Sequence, residues 1–103
     1  MDTEKKVWLD PQRLMDRVLL GAYMNELFRI PEEEARNLDQ LHDELSEVRE
    51  NVMILVSRTA LLMICKNDFA YRVLCVMNDA ANENPYLTLS LSGAGARNPF
   101  APD

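Results

Sequence analysis

The chain has 103 residues, 11 Lys+Arg against 17 Asp+Glu, a formal net charge of −6 and 48% hydrophobic residues. That length suits one domain with one core, and the apolar fraction is too high for a disordered chain. The acidic balance excludes an autonomous nucleic-acid binder, which needs Lys and Arg to neutralise phosphates.

The apolar run Lys6–Leu9 predicts a short strand. Asp10-Pro11 signals a helix start, with Asp10 as N-cap and Pro11 at the first helical position. Leu14, Val18, Leu19 and Ala22 follow at helical spacing, with Met15 beside them. This helix should fade near Phe28, because Ile30 precedes Pro31 and is biased away from helix. Residues 31–37 read as a connection. Leu38, Leu41, Leu45 and Val48 then make one apolar stripe, which predicts a helix over 38–48 with Asn37 as its N-cap.

Val52–Val56 is continuously apolar, the pattern of a central strand covered on both faces. Thr59 is placed to cap a short helix through Met63 or Ile64. Asn67-Asp68 can cap a further helix, with Phe69, Val73, Val76, Met77 and Ala80 on its inner face. Asn82-Glu83-Asn84-Pro85 ends it. Tyr86–Leu91 alternates, with Leu87, Leu89 and Leu91 on one face, and predicts a last strand.

Strands separated by helices favour a parallel sheet with right-handed crossovers. The expected fold is α/β: a three-stranded parallel sheet with about four helices over residues 1–91. Residues 92–103, with Gly, Ala and Pro and no period, are expected to form a flexible C-terminal tail.

No stretch approaches the roughly 18–20 apolar residues of a membrane span, and MDTEKK does not resemble a signal peptide. A cytoplasmic location follows as the expectation. Cys65 and Cys75 then read as free thiols, buried and inert. Trp8 reads as core, and Met15, Met53, Met63 and Met77 as packing. His42 is the only histidine, so neither a metal site nor a cofactor is expected. There is no Gly-rich phosphate loop and no GxSxG motif.

The charge is unevenly placed. Residues 32–50 hold eight acids (Glu32, Glu33, Glu34, Asp39, Asp43, Glu44, Glu47 and Glu50) and two bases, Arg36 and Arg49. The other residues carry nine acids and nine bases, so this window holds the whole net charge. Asp39, Asp43 and Glu47 fall at i, i+4 and i+8, away from most of the leucine stripe. Neighbours at that spacing lie ~5–6 Å apart at Cβ and repel weakly. One reading is a solvated acidic face, screened by Arg36 and Arg49. The other is a row of carboxylates that imitates nucleic-acid phosphates and enters a cationic cleft. Acid–base catalysis by the paired carboxylates is disfavoured, because an exposed helix offers them no enclosing pocket. His42 can hydrogen-bond a partner or border the core.

The stretch LFRIPEEEARNLDQLHDEL resembles the signature of the barstar family, intracellular inhibitors of a secreted ribonuclease. In that family a segment ending in Pro and Glu leads into an Asn-Leu-Asp-x-Leu-x-Asp helix. Here that helix start is Asn37-Leu38-Asp39-Gln40-Leu41-His42-Asp43. The similarity continues in outline over residues 5–91. The resemblance implies a three-stranded parallel sheet packed with helices. It implies no enzymatic activity, no catalytic residues and no cofactor. The second helix and the loop before it would plug the active site of a nuclease.

By the same resemblance Asp43 matches the aspartate that fills the catalytic phosphate pocket, and Asp39 the second acid on that face. Asn37 matches the asparagine that shapes the loop, and Asp79 falls where the family has a further acidic contact. His42 stands where the family has tryptophan. Glu33 and Glu34 replace loop aromatics, Ala35 a glycine, and Val48 a second tryptophan. Aromatic anchors usually dominate interface energy, so the departures point to another basic ribonuclease toxin or a different basic protein. The expected partner-binding set is Asp43, Asp39, Asn37, His42, Glu34, Glu33, Glu47 and Asp79, with no direct contact to nucleic acid or membrane and a monomer when free. The expected function is that of an inhibitor or immunity protein. A barstar-like regulatory module for a basic non-nuclease protein is the alternative.

Overall fold

The computed structural model describes residues 4–91. The tail expected over 92–103 lies outside the described residues. Strand β1 (Lys5–Trp8) is followed by a 3-10 turn (Pro11–Leu14) and helix α1 (Arg17–Phe28). A short helix α2 (Glu32–Ala35) and helix α3 (Leu38–Ser46) lead to strand β2 (Val52–Val56). Helices α4 (Arg58–Cys65) and α5 (Asp68–Glu83) then lead to strand β3 (Leu87–Leu91).

The strands form one parallel sheet in the order β1-β2-β3. The architecture is thus α/β with a three-stranded parallel sheet, with five α-helices rather than about four. Lys5 pairs with Val52 and Val52 with Leu87, so residues fall into straight rows across the sheet.

Both crossovers step in the same direction along the sheet. Right-handed crossovers of that kind put every helix on the same face. On the helix side, Val52, Ile54, Val56 and Leu87 are buried, with Val7, Leu89 and Leu91 partly so. The opposite face carries Lys6, Trp8, Met53, Leu55, Thr88 and Ser90, none of which belongs to the core or packs on it. Among the described residues β2 is therefore covered on one face, not on both as expected. β2 alternates buried and half-buried residues. Trp8 is corrected too: it lies on the open face at the sheet edge and is 58% exposed.

The first helix also departs from expectation. Asp10 does cap, accepting from the Gln12 amide, but the turn it starts ends at Leu14. Asp16 restarts the chain as the N-cap of α1, accepting from the amides of Val18 and Leu19. The restart changes the helical phase. Leu20, Gly21, Tyr23 and Met24 are buried, whereas Val18 and Leu19 face solvent.

The other caps follow side-chain chemistry closely. Asn37 and Asn67 cap α3 and α5 as expected, but Ser57, not Thr59, caps α4. Cys65 and Cys75 are free and exposed, not buried. In α5 the buried stripe is Ala70, Val73, Leu74, Met77 and Ala80, and Cys75 lies off it. Helical phase decides against the general burial habit of cysteine here.

Candidate functional site

The acidic window of the sequence folds into α2, α3 and the turn between them. Pro31 opens α2, and Glu32, Glu33 and Glu34 fill its first turn, where the amide ends favour negative charge. Asn37 links the two helices. Its side-chain oxygen accepts from the amides of Asp39 at 2.9 Å and Gln40 at 3.3 Å, which fixes where α3 starts. Leu41 and Leu45 are fully buried, and Leu38 packs on the core. That phase turns Asp39 and Asp43 outward; the Asp43 side chain is 84% exposed.

The turn is held from outside by Arg17. Its Nη1 donates to the Arg36 carbonyl at 2.6 Å, and its guanidinium lies 5.0 Å from the centre of the Phe69 ring. Arg36 itself pairs with Glu32 at 3.8 Å rather than with the acids of α3. Arg49 lies over the Tyr86 ring, 6.0 Å from its centre. Neither arginine forms an ion pair with Asp39 or Asp43 among the described residues.

α3 ends at Ser46, two residues earlier than the leucine stripe implies, and Glu47 is its C-cap residue. The acids therefore divide into three neighbourhoods. Asp39 and Glu33 border an open hollow of about 390 Å³ with Arg17 and Asn37. Glu47 borders a different cleft of about 640 Å³, together with Glu44, Glu50, Lys5, Arg29 and Arg49. Asp43 borders neither and stands beside His42.

His42 is 32% exposed in its side chain. Its Nε2 lies 2.9 Å from a Glu83 carboxylate oxygen and its Nδ1 3.8 Å from Asp43. It therefore neither simply borders the core nor stands free for a partner: it bridges α3 to the end of α5. Asp79 is exposed one helical turn before Glu83. It borders a small hollow with Tyr71, Cys75 and Leu89.

Glu34, on α2, and Glu44, on α3, come together. Their shared hydrogen bond, above all, pushes the Glu44 carboxyl above its ordinary value. Partial burial adds to the shift, as do the charges of Glu34, Glu47 and Asp43.

Four residues of this face were not expected: Arg17, Glu44, Glu83 and Asn84. Asn84 is buried and donates from its amide to the carbonyls of Leu45 and Val48, both at 2.9 Å. Glu83 had a visible signal, because it sits at i+4 from Asp79. Arg17 and Asn84 had none, since their partners lie far away in sequence. Among the described residues, no group of three or more His, Cys, Asp or Glu side chains is arranged to hold a metal ion. No helix of the described residues is long and apolar enough to cross a membrane.

No protein-family model matches the chain, and no curated protein matches it.

Proposed function

We propose that this chain is a barstar-like protein inhibitor that acts in the cytoplasm as an immunity protein. In this reading α3 and the preceding α2 turn enter the cationic active site of a ribonuclease. The supporting observation is that Asp39 and Asp43 stand one turn apart on a helix tied down at both ends, with neither paired to an arginine or lysine among the described residues. Charges held on a fixed element lose little freedom on binding. Asp43 would take the place of the scissile phosphate, and Asp39 would meet a second cation. The row would also steer a basic partner inward. No bond is made or broken: RNA is excluded by volume and by charge. A fully desolvated charge pair of this kind can contribute several kcal/mol.

A second reading has its own support. Glu33 and Glu34 stand where the resembled family has aromatics, and His42 turns to Glu83 instead of supplying an aromatic anchor. A basic partner that is not a nuclease suits a face with so few anchors.

One experiment separates the two. Proteins captured from the source cell by the intact chain are compared with those captured by Asp43→Ala. The fraction lost with Asp43→Ala is then assayed for RNA cleavage, with and without added chain. Cleavage suppressed by the wild-type chain supports the inhibitor. A basic captured protein without nuclease activity supports the regulatory module. Equal capture by both chains overturns both readings.

A further inference from the structure

The open face of the sheet is unusual. Parallel sheets are almost always covered on both sides, yet this one leaves Trp8, Met53 and Leu55 off the core. Trp8, Leu55 and Ser90 form one row across the three strands. A tryptophan 58% exposed at the edge of such a face is costly in water.

We propose that residues 92–103 of this chain dock on that open face, with Phe100 over Trp8 and Leu55. The segment leaves the sheet directly after Leu91, one residue beyond the row that contains Trp8. The far strand of that row is only about 10 Å away, two strand spacings. Phe100 is nine positions beyond Leu91, a length of chain that can span about 30 Å. Reach is therefore ample even for a chain that must turn back. Gly93 and Gly95 allow the reversal, since glycine takes the left-handed conformations of tight turns without penalty. Pro99 and Pro102 flank Phe100 and Ala101, and fixed φ angles there reduce the freedom lost on docking.

Area decides against a second copy as the cover. Three short strands expose on the order of 200–300 Å² on one face, against roughly 800 Å² per partner in a stable dimer. A tethered segment needs much less area, because a short linker holds it at a roughly millimolar effective concentration. The face is distinct from the acidic surface, so the proposal does not depend on the inhibitor reading.

Trp8 is the single tryptophan and reports its own cover. In the full chain, Phe100→Ser should move the Trp8 emission to longer wavelength and raise its acrylamide quenching about twofold, as an apolar contact is replaced by water. Wild-type protein should show proton–proton Overhauser effects between the Phe100 ring and the Trp8 indole. Equal quenching in both proteins, with no such effect in the wild type, overturns the proposal. So does quenching that falls as either protein is concentrated, because a second copy is then the cover.

Discussion

The Asn84 side-chain amide donates to the Leu45 carbonyl at 2.9 Å and so caps, from the end of α5, the helix that carries Asp39 and Asp43. The last carbonyls of a helix have no partner within it. Here the two N–H bonds of one side-chain amide go to the carbonyl of Leu45, in the last turn of α3, and to that of Val48, just beyond it. Asn84 is itself fully used. Its own amide reaches Ala80, its side-chain oxygen accepts from Tyr86, and its carbonyl accepts from Leu87. One residue thus ends α5, starts the approach to β3 and closes α3. The N-terminal side is fixed in parallel by Asn37 and Arg17. The acidic helix is clamped at both ends, which holds its exposed carboxylates in fixed positions.

Removing that clamp should be expensive. Asn84→Ala removes the side-chain donor of both carbonyls and leaves that of Val48 without this partner, at about 1–3 kcal/mol. Asn84→Asp should cost more, because a buried carboxylate would face carbonyl oxygens at the negative end of a helix. Urea unfolding of the three proteins at neutral pH checks the order. A loss below about 0.5 kcal/mol for Asn84→Ala, the range of ordinary surface changes, would show that the capping is dispensable.

The Glu34–Glu44 contact sets a pH dependence. The Glu44 carboxyl is raised above its ordinary value in the folded chain, mainly by its hydrogen bond with Glu34. The folded state therefore holds a proton that the unfolded state has already released. Through the window from the ordinary carboxylate value up to the folded one, stability falls as pH rises. Below that window both states are protonated and nothing is lost; above it the full repulsion remains. Glu44→Gln should thus stabilise the protein at neutral pH by about a few tenths of a kcal/mol, the size of a solvent-screened like-charge pair. At about pH 3, where carboxylates are protonated, the gain should vanish. Thermal melts of both proteins across this range would show the difference. A gain of equal size at both ends would assign it to something other than charge.

Much of this architecture was legible because its signals are local. The two asparagine caps, the leucine stripe of α3 as far as Leu45 and the alternation of β3 each sit within a few residues, and each formed as expected. What was not legible depends on distance or on sheet order. The exposure of Trp8 follows from two crossovers stepping the same way, and no window around Trp8 contains that information. Asn84 reads in sequence as one of four turn-forming residues, yet its partners lie 39 and 36 positions away. The His42–Glu83 contact likewise joins two helices whose packing no single helix discloses. The phase of α1 was lost for a different reason. Asp10-Pro11 is a good helix start, but Asp16 is a second one six residues later, and the later cap sets which side chains are buried.

Gly21 sets how closely α1 approaches α2. A Cβ there would stand 3.0 Å from the Glu32 carbonyl oxygen, 3.3 Å from Arg36 Nε and 3.4 Å from Arg36 Cγ. The first of these is backbone and cannot swing aside. Alanine gains up to about 1 kcal/mol of helix propensity over glycine, whereas overpacking a tight contact costs about 1–3 kcal/mol. Gly21→Ala should therefore destabilise the protein by about 1 kcal/mol, read as a lower urea midpoint. A higher midpoint would mean that α2 moves away freely, and that the turn before α3 is held by Arg17 alone.

The proposed binding face makes a kinetic prediction as well as an energetic one. Asp43 is exposed when free and would be desolvated against a cation in the complex, so its removal strands the partner charge. Truncating one member of such a pair costs about 2–5 kcal/mol, chiefly through faster dissociation. Glu4 is equally acidic and exposed but precedes β1, outside the acidic window. Glu4→Ala should therefore change affinity by less than about 0.5 kcal/mol. Added salt should act on a different step. In the proposed complex the acidic window would steer encounter through long-range attraction, which is screened within about 10 Å at 0.1 M salt. Association measured by stopped flow should slow steeply with ionic strength, while dissociation changes little. Equal effects of Asp43→Ala and Glu4→Ala by calorimetry, or an association rate indifferent to salt, would remove α3 from the interface.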